Sequence, residues 1–396
     1  MNRYDPSPLR VALFTDTHLP QLNGVSRTLD RLEQAIRARG GEVRVWTARG
    51  PDGVARPGVR DVRSVPFWAY PELRIAFPDG ERVARELAAW QPSLVHAATP
   101  FGVGLAARAA ARRLGIPLVS SYHTSFSAYA RFYHLGLLAR PGWAFLRWFH
   151  NAGRRTYAPS AATAQELRDH GFRRVKVWSR GVDTSRFGPA FRSDVLRQQL
   201  GARDGRLVVG NVGRVAREKG LDTVLETMHV LDREMPGRFV FAFAGDGPYL
   251  DAMRRAAPPS ARFMGRLEGE ALSQFFASLD LFVFPSITDT FGNVLLEAMA
   301  SGVPILAADA PPTRALVSDG RGLLYYPGAG ANLAGAMRAA VAQPDRLVAM
   351  RRAALTFAAT RGWDRIFDDL IADYRMAIAE ARGALPPVAA ARAVPV

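Results

Sequence analysis

The chain contains no cysteine, which excludes disulfides, thiolate nucleophiles and Cys-ligated metals. It has no run of 18 or more apolar residues, so the sequence predicts no transmembrane helix. There is no D-x-D motif, and its seven histidines show no metal-ligand spacing; a bound metal is therefore not expected, and neither is any cofactor. No internal repeat at solenoid spacing occurs. The N-terminus, MNRYDPSPLRVALFTDTH, enters a strand without the apolar region of a signal peptide. Together these absences predict a cytoplasmic protein, soluble or peripheral on the inner face of the cell membrane.

Lysine is nearly absent as well. Lys176 and Lys219 are the only two among 52 basic residues; the rest are arginine. Arginine presents a planar fork, lysine a compact and mobile point charge. A lysine kept against such a bias suggests that an ammonium is wanted. Lys219 lies in VGNVGRVAREKG, 209–220, where Arg214 and Lys219 flank a strand-to-helix turn. Lys176, in RRVKVW, reads as an ordinary strand residue. The net charge of +16 attracts nucleic acid, anionic lipid or phosphorylated substrates without choosing among them.

What is present is an α/β pattern long enough, at 396 residues and 48% apolar content, for two domains. Buried strands are expected at 10–15, 42–48, 61–67, 93–99 and 116–124, with helices at 25–39, 81–90 and 103–114 between them. The segment 126–150 is aromatic and irregular. Strands recur at 206–213, 239–245, 261–265, 279–285 and 303–309, with helices at 220–232, from 249 and at 268–279. Short apolar strands separated by helices imply parallel βαβ units. Residues 179–194, rich in Gly, Ser and Pro, read as the linker. The expected domains are 1–183 and 195–362, then a helix over 363–383 and a disordered tail over 384–396. Trp363, Ile366, Phe367, Leu370, Ile371, Tyr374 and Ile378 share one face of that helix, which must therefore pack on something, the N-terminal domain being the expectation. Ligand sites in such domains lie at the carboxyl ends of strands, here facing a cleft. Asp16, Gly24, His123, Arg214, Gly245-Asp246-Gly247 and the loop of Asp289 all fall at such ends. His96 also ends a strand and reads as a core or cleft-wall residue.

The acidic pair in PSITDTFGNVLLEAMASGVPI, 285–305, carries the most chemistry. Asp289 sits in a turn after an apolar strand, and Glu297 in the first turns of the next helix. Gly292 lets a ligand approach the backbone. Asn293 is a good N-cap, and the N–H groups after it form an anion site. Two carboxylates beside an anion site suit a ligand with both hydroxyls and phosphates, such as a nucleotide sugar. A glycosidase pair is disfavoured, because Glu297 beside a phosphate cradle has no obvious water-activating role.

TDTHLPQLNGVSR, SYHTSF, SRGVDTSRF, VGRVAREKGLD, FAGDGP, FPSITDTFGNVLLEAMASGVP and the terminal WDR helix, in this order, resemble the family 4 retaining glycosyltransferases. The likeness spans nearly the whole chain and is nearest to GDP-mannose-dependent α-mannosyltransferases and lipid glycosyltransferases. The family has Glu at the first acidic position, where this chain has Asp289. The resemblance implies the GT-B fold, two Rossmann-like parallel-sheet domains with an interdomain cleft. It also implies transfer of a hexose from a nucleoside diphosphate, mannose from GDP-mannose as first choice, to a lipid-linked or glycan hydroxyl with retention. A UDP-sugar donor is the alternative.

Under that resemblance Arg214 and Lys219 hold the departing diphosphate, and backbone N–H groups at Gly24, Gly292, Asn293 and Val294 complete the cradle. Asp289 accepts from donor-sugar hydroxyls, Glu297 from the ribose. His123 lies near the transferred sugar, and Arg266 and Asp246-Gly247 lie beside the base and diphosphate. The segment 129–155 mixes aromatics with arginine; Trp143, Leu146, Trp148 and Phe149, beside Arg147, Arg154 and Arg155, are expected to form an apolar face on an anionic membrane. The rival enzymes are a nucleotide-sugar epimerase and a phosphorylase, the latter needing a cofactor lysine for which only Lys176 remains. A nucleic-acid-binding protein is favoured by charge alone, without a motif.

Overall fold

The computed structural model describes residues 8–18, 24–49, 56–67, 70–123, 136–202 and 205–383. They divide into two compact units. The first holds the described chain up to Ser179 and again from Asp364; the second is Arg180–Trp363.

The first unit is built on seven parallel strands: β1 (Arg10–Thr15), β2 (Glu42–Ala48), β3 (Val59–Val62), β6 (Leu94–Ala97), β7 (Leu118–Ser121), β8 (Arg155–Ala158) and β9 (Val175–Val177), in spatial order 3-2-1-6-7-8-9. β4 (Ser64–Phe67) and β5 (Tyr70–Ala76) form a separate antiparallel hairpin. The chain thus breaks at Arg63, and the single strand expected over 61–67 is two: one ends the sheet, the other turns away into the hairpin. Phe14 and Trp46 stack at 4.7 Å on neighbouring strands and pack with Leu87, Trp90, Val103 and Phe149 from the covering helices.

The aromatic stretch expected to be irregular contains the helix Gly136–His150. Residues 124–135 lie outside the described residues. Trp143, Leu146 and Phe149 are buried while Trp148 is half exposed, because a three-residue spacing returns to the same helix face and Trp148 falls off it. The four residues therefore do not share a lipid-facing side. Arg155 is buried too, on β8.

The second unit has six parallel strands: β10 (Leu207–Val212), β11 (Phe239–Ala244), β12 (Ala261–Phe263), β13 (Leu281–Phe284), β14 (Ile305–Ala308) and β15 (Gly322–Tyr325), in order 12-11-10-13-14-15. Val208, Val240, Phe282 and Ile305 pack on one face, Val209, Phe241, Leu281 and Leu306 on the other. Alternate residues enter opposite cores, so these strands read as unbroken apolar runs. The stretch expected to link the domains is packed: Val182 and Phe187 are buried with this core.

The helix Trp363–Ala381 follows the second unit in sequence, yet from Asp364 on it belongs to the first. Its apolar face buries Phe367, Leu370, Ile371, Tyr374 and Ile378; Trp363 and Ile366 are only partly covered. What sequence periodicity omits is its polar fastening. Arg155 donates to Glu380 at 2.9 and 2.6 Å and to Asp373 at 3.3 Å. Tyr157 donates to Asp373 at 2.8 Å and Lys176 pairs with the same carboxylate at 3.1 Å. Glu380→Ala removes one of the two carboxylates that hold the buried Arg155 guanidinium, leaving Asp373 at 3.3 Å, and is expected to destabilise the first unit by about 1–3 kcal/mol. Chemical denaturation checks this; a cost below about 1 kcal/mol would show the pair to be dispensable.

Two buried histidines make this unit acid-sensitive. His96 sits between the Ser121 hydroxyl and Tyr374 Oη, each at 2.7 Å. His150 Nδ1 meets Ser120 Oγ at 2.8 Å. Burial lowers both from 6.5 to about 3. Below pH 6.5 the unfolded chain takes up protons that the folded chain refuses, so stability falls as pH drops from 6.5 towards 3. Each contributes up to ~1.4 kcal/mol per pH unit. Melts at pH 7 and pH 5 should differ, and His150→Asn should reduce the difference.

Candidate active site

The order of the second sheet reverses at β10, whose neighbours are β11 on one side and β13 on the other. Ligands of doubly wound sheets bind beyond the carboxyl ends at such a point. Both expected motifs are there: Arg214 to Lys219 follow β10, and the Asp289 loop follows β13.

After β10 the chain makes a single 3-10 turn, Arg217–Lys219, ended by Gly220 at φ 73°. A Cβ on Gly220 would stand 2.6 Å from the Pro285 carbonyl oxygen. Only glycine lets the two loops close to this distance. Thr288 Oγ1 then donates to the Glu218 carbonyl at 3.1 Å, and Ser286 Oγ lies 3.3 Å from the Thr288 hydroxyl. Ser286, Thr288 and Glu218 are all buried.

This fastening brings Lys219 Nζ to 2.7 Å from Asp289 Oδ1. The pair is about a quarter exposed, 22% for Lys219 and 28% for Asp289. Burial alone would push the Asp289 carboxyl up, but the Lys219 ammonium and hydrogen bonds from Lys219 and Ser286 outweigh it and hold the group below its usual range. Asp289 is therefore ionised at neutral pH.

Arg214 Nη1 stands 3.9 Å from Glu218 Oε1. Burial lowers its guanidinium, and Glu218 offsets part of that. The helix Asn293–Ala300 begins beside Asp289. Its N-cap is Gly292 at φ 84°, not Asn293 as expected, and Asn293 is the first helical residue. The left-handed turn rather than a side-chain cap starts this helix, since a Cβ on Gly292 would press on the Phe284 ring at 2.9 Å. The N–H groups of Asn293 and Val294, in its first turn, have no carbonyl four residues back within the helix. Glu297 is the one ionisable side chain of this helix and is partly exposed.

FAGDGP closes the site from β11. Gly245, at φ 151°, approaches Gly213 so nearly that a Cβ would lie 1.8 Å from the Gly213 carbonyl oxygen. Val215 N–H donates to the Asp246 carbonyl at 2.9 Å. Arg266 follows β12 and pairs with Glu268 at 2.8 Å on the exposed surface.

In the first unit the corresponding reversal falls between β1 and β6. Asp16 is buried there, accepts from Thr99 Oγ1 at 2.6 Å and from the Val103 N–H at 3.4 Å. Burial pushes it up against these bonds. It fastens the start of the helix Gly102–Leu114 to β1. Gly24 opens the helix Gly24–Ala38 and is exposed; residues 19–23 before it lie outside the described residues. His123, half buried after β7, has its ring edge-on to Trp178 at 5.8 Å. His96 lies within the core of the same unit, as described above.

Sequence reasoning passed over Gly220, Glu218, Ser286 and Thr288. Their roles come from which loops meet, which no local pattern encodes. It also passed over His18 and Glu33, buried together after β1 with Nε2 and Oε2 3.4 Å apart. Among the described residues no group of three His, Asp or Glu side chains could hold a metal ion.

The sequence profile of Glycosyltransferase Family 4 matches residues 22–186, and that of Glycosyl transferases group 1 matches residues 193–356. A GDP-mannose-dependent alpha-mannosyltransferase of Mycobacterium tuberculosis is 36% identical over 92% of this chain and 96% of its own length. The chain belongs to the family 4 glycosyltransferases. Among this transferase's other relatives is an alpha-monoglucosyldiacylglycerol synthase of Streptococcus pneumoniae, 30% identical over 85% of this chain and 79% of that protein. The solved structure of Anabaena Alr3699/HepE in complex with UDP superposes with a TM-score of 0.74, at 20% identity, over 92% of this chain and 98% of that one. Its likeness establishes the GT-B fold. The transferase is a hexosyltransferase with two Rossmann-like units. Among the described residues no helix is long and apolar enough to cross a membrane.

Proposed function

We propose that this glycosyltransferase moves mannose from GDP-mannose to a lipid-linked or glycan hydroxyl with retention, without a metal. One observation carries the donor site: the Lys219–Asp289 pair stands at the switch point of the second sheet, beside the start of the helix Asn293–Ala300. When the glycosidic bond breaks, negative charge develops on the diphosphate. Lys219 and Arg214 meet that charge, with the N–H groups of Gly292, Asn293 and Val294. Contacts that strengthen as the leaving group departs lower the barrier rather than only aiding binding.

On this reading Lys219 is shared. In the free enzyme it is held by Asp289; with donor present the diphosphate takes part of its charge, and Asp289 turns to the sugar hydroxyls. Glu297 accepts from the ribose diol. Arg266, tied to Glu268, is assigned to the base and diphosphate. His123 and Gly24 keep the contributions that the family likeness implies. The mannose donor rests on the mycobacterial relative's name; the pneumococcal relative's name favours a glucose donor, with UDP as the alternative carrier.

Calorimetric titration with GDP-mannose, UDP-glucose and UDP-galactose separates the two. The expected result is heat from GDP-mannose alone. Heat from only the UDP-sugars would move the donor assignment, and none from any of the three would remove it. Peripheral attachment to the inner face of the membrane is part of the proposal.

A further inference from the structure

We propose that His96 and Tyr374 are positioning residues for His123, so that the seating of the helix Trp363–Ala381 sets the geometry of sugar transfer. On the transfer reading, on which this step rests, His123 lies near the moving sugar. His123 leaves the sheet just after β7. Two residues before it, Ser121 Oγ stands 2.7 Å from His96 Nε2, and on the other side of the ring Tyr374 Oη stands 2.7 Å from His96 Nδ1. All three residues are buried, His96 and Tyr374 completely.

Burial keeps the His96 imidazole neutral, so it has one donor and one acceptor nitrogen. With both engaged, the plane of the ring is fixed. Trp178 lies edge-on to it at 5.9 Å and meets the His123 ring edge-on at 5.8 Å. The helix therefore reaches His123 by two routes through one imidazole. One runs through the Ser121 hydroxyl into the strand that carries His123. The other runs through the Trp178 ring to the His123 ring.

The surroundings leave this line little freedom. Tyr157 packs against His96, Trp178 and Tyr374 at 6.1, 6.3 and 5.9 Å. Its hydroxyl donates to Asp373, the residue before Tyr374. The Tyr122 N–H donates to the Tyr157 carbonyl and the Trp178 N–H to the Ala158 carbonyl, each at 2.8 Å. Anchoring a helix requires only apolar volume. Burying a hydroxyl, an imidazole and a phenol costs free energy unless each finds a partner. What a satisfied polar line adds to an apolar filling is a single arrangement of its members. That matters beside a reacting sugar, where a shift of about 1 Å from a distant substitution costs roughly 100-fold in rate.

GDP release from GDP-mannose by the full chain tests this, since it requires no named acceptor. Tyr374→Phe keeps the ring and removes the hydroxyl; His96→Leu keeps an apolar filling and breaks both bonds. Each is expected to lower kcat about tenfold with KM for GDP-mannose unchanged, because the diphosphate and ribose contacts belong to the second unit. The double variant should also lose about tenfold, not the roughly 100-fold of two independent effects, because the line is already broken. Glu380→Ala is the control: it loosens the same helix at Arg155 and should leave kcat unchanged. Histidine ring signals that vanish from the NMR spectrum of His123→Ala belong to His123; they should move in Tyr374→Phe and stay in place in Glu380→Ala. Where His96→Leu fails to fold, Tyr374→Phe against Glu380→Ala decides alone. Equal kcat losses in those two, multiplying losses in the double variant, unmoved His123 signals, or an unmodified rate in His123→Ala would overturn the proposal. If the unmodified chain turns over no donor, the transfer reading falls by itself, and the His123 signals alone uphold or overturn the positioning by His96 and Tyr374.

Discussion

Lys219→Ala is expected to lower sugar transfer by about 100- to 1000-fold, the usual cost of removing one preorganised charge that meets a developing anion. The loss should fall on kcat more than on KM, because the diphosphate gains charge only as the bond breaks. Stability should change little: the pair is partly exposed, and such pairs contribute roughly 1 kcal/mol or less. Acid behaviour supplies an independent readout. Asp289, held low in the folded chain, adds stability that is present above the ordinary carboxylate range and lost as pH falls through its lowered value. Without Lys219 that contribution disappears, and acid unfolding should begin at higher pH. Glu297→Ala, by contrast, removes a ribose contact and should raise KM for the donor. Unchanged rates in both variants, measured with the donor that titrates, would remove the site assignment.

Gly245→Ala is expected to abolish donor binding and to destabilise the second unit by more than about 3 kcal/mol. Two costs add. A left-handed or extended-positive φ strains any L side chain by roughly 1–3 kcal/mol, and here φ is 151°. The added Cβ would also stand 1.8 Å from the Gly213 carbonyl oxygen, so the loops after β10 and β11 must separate. That movement displaces Arg214, the residue after Gly213. Gly237 provides the control. Its φ is also positive, 73°, but the nearest atom to an added Cβ is 3.8 Å away, at the end of a flexible arginine. Gly237→Ala should cost only about 1 kcal/mol and leave donor binding intact. Thermal unfolding with and without donor distinguishes the two, and equal effects would show that loop contact at Gly245 is unimportant.

Much of the fold is legible in the chain because parallel strands buried on both faces read as short apolar runs. FVFAFA is β11 and EVRVWTA is β2, residue for residue as expected or nearly so. Misreadings occur where one local pattern serves two environments. SVPF looks like a strand continuing β3 and is one, but in another sheet. Trp143 and Trp148 are the same residue type five positions apart, one buried and one exposed. Asn293 has the chemistry of an N-cap, yet Gly292 takes the position because Phe284 leaves no space for a side chain.

Composition and motif order were sufficient for the class of protein, since the absence of cysteine, the retained Lys219 and the Asp289–Glu297 spacing are local facts. Which charges stand against each other was decided only by the folded chain. Lys219 meets Asp289, 70 residues away, and Arg155 meets Glu380, 225 residues away. Such pairs depend on strand order and loop closure, which arise from burial summed over whole sheets and leave no mark on either residue's neighbours in sequence.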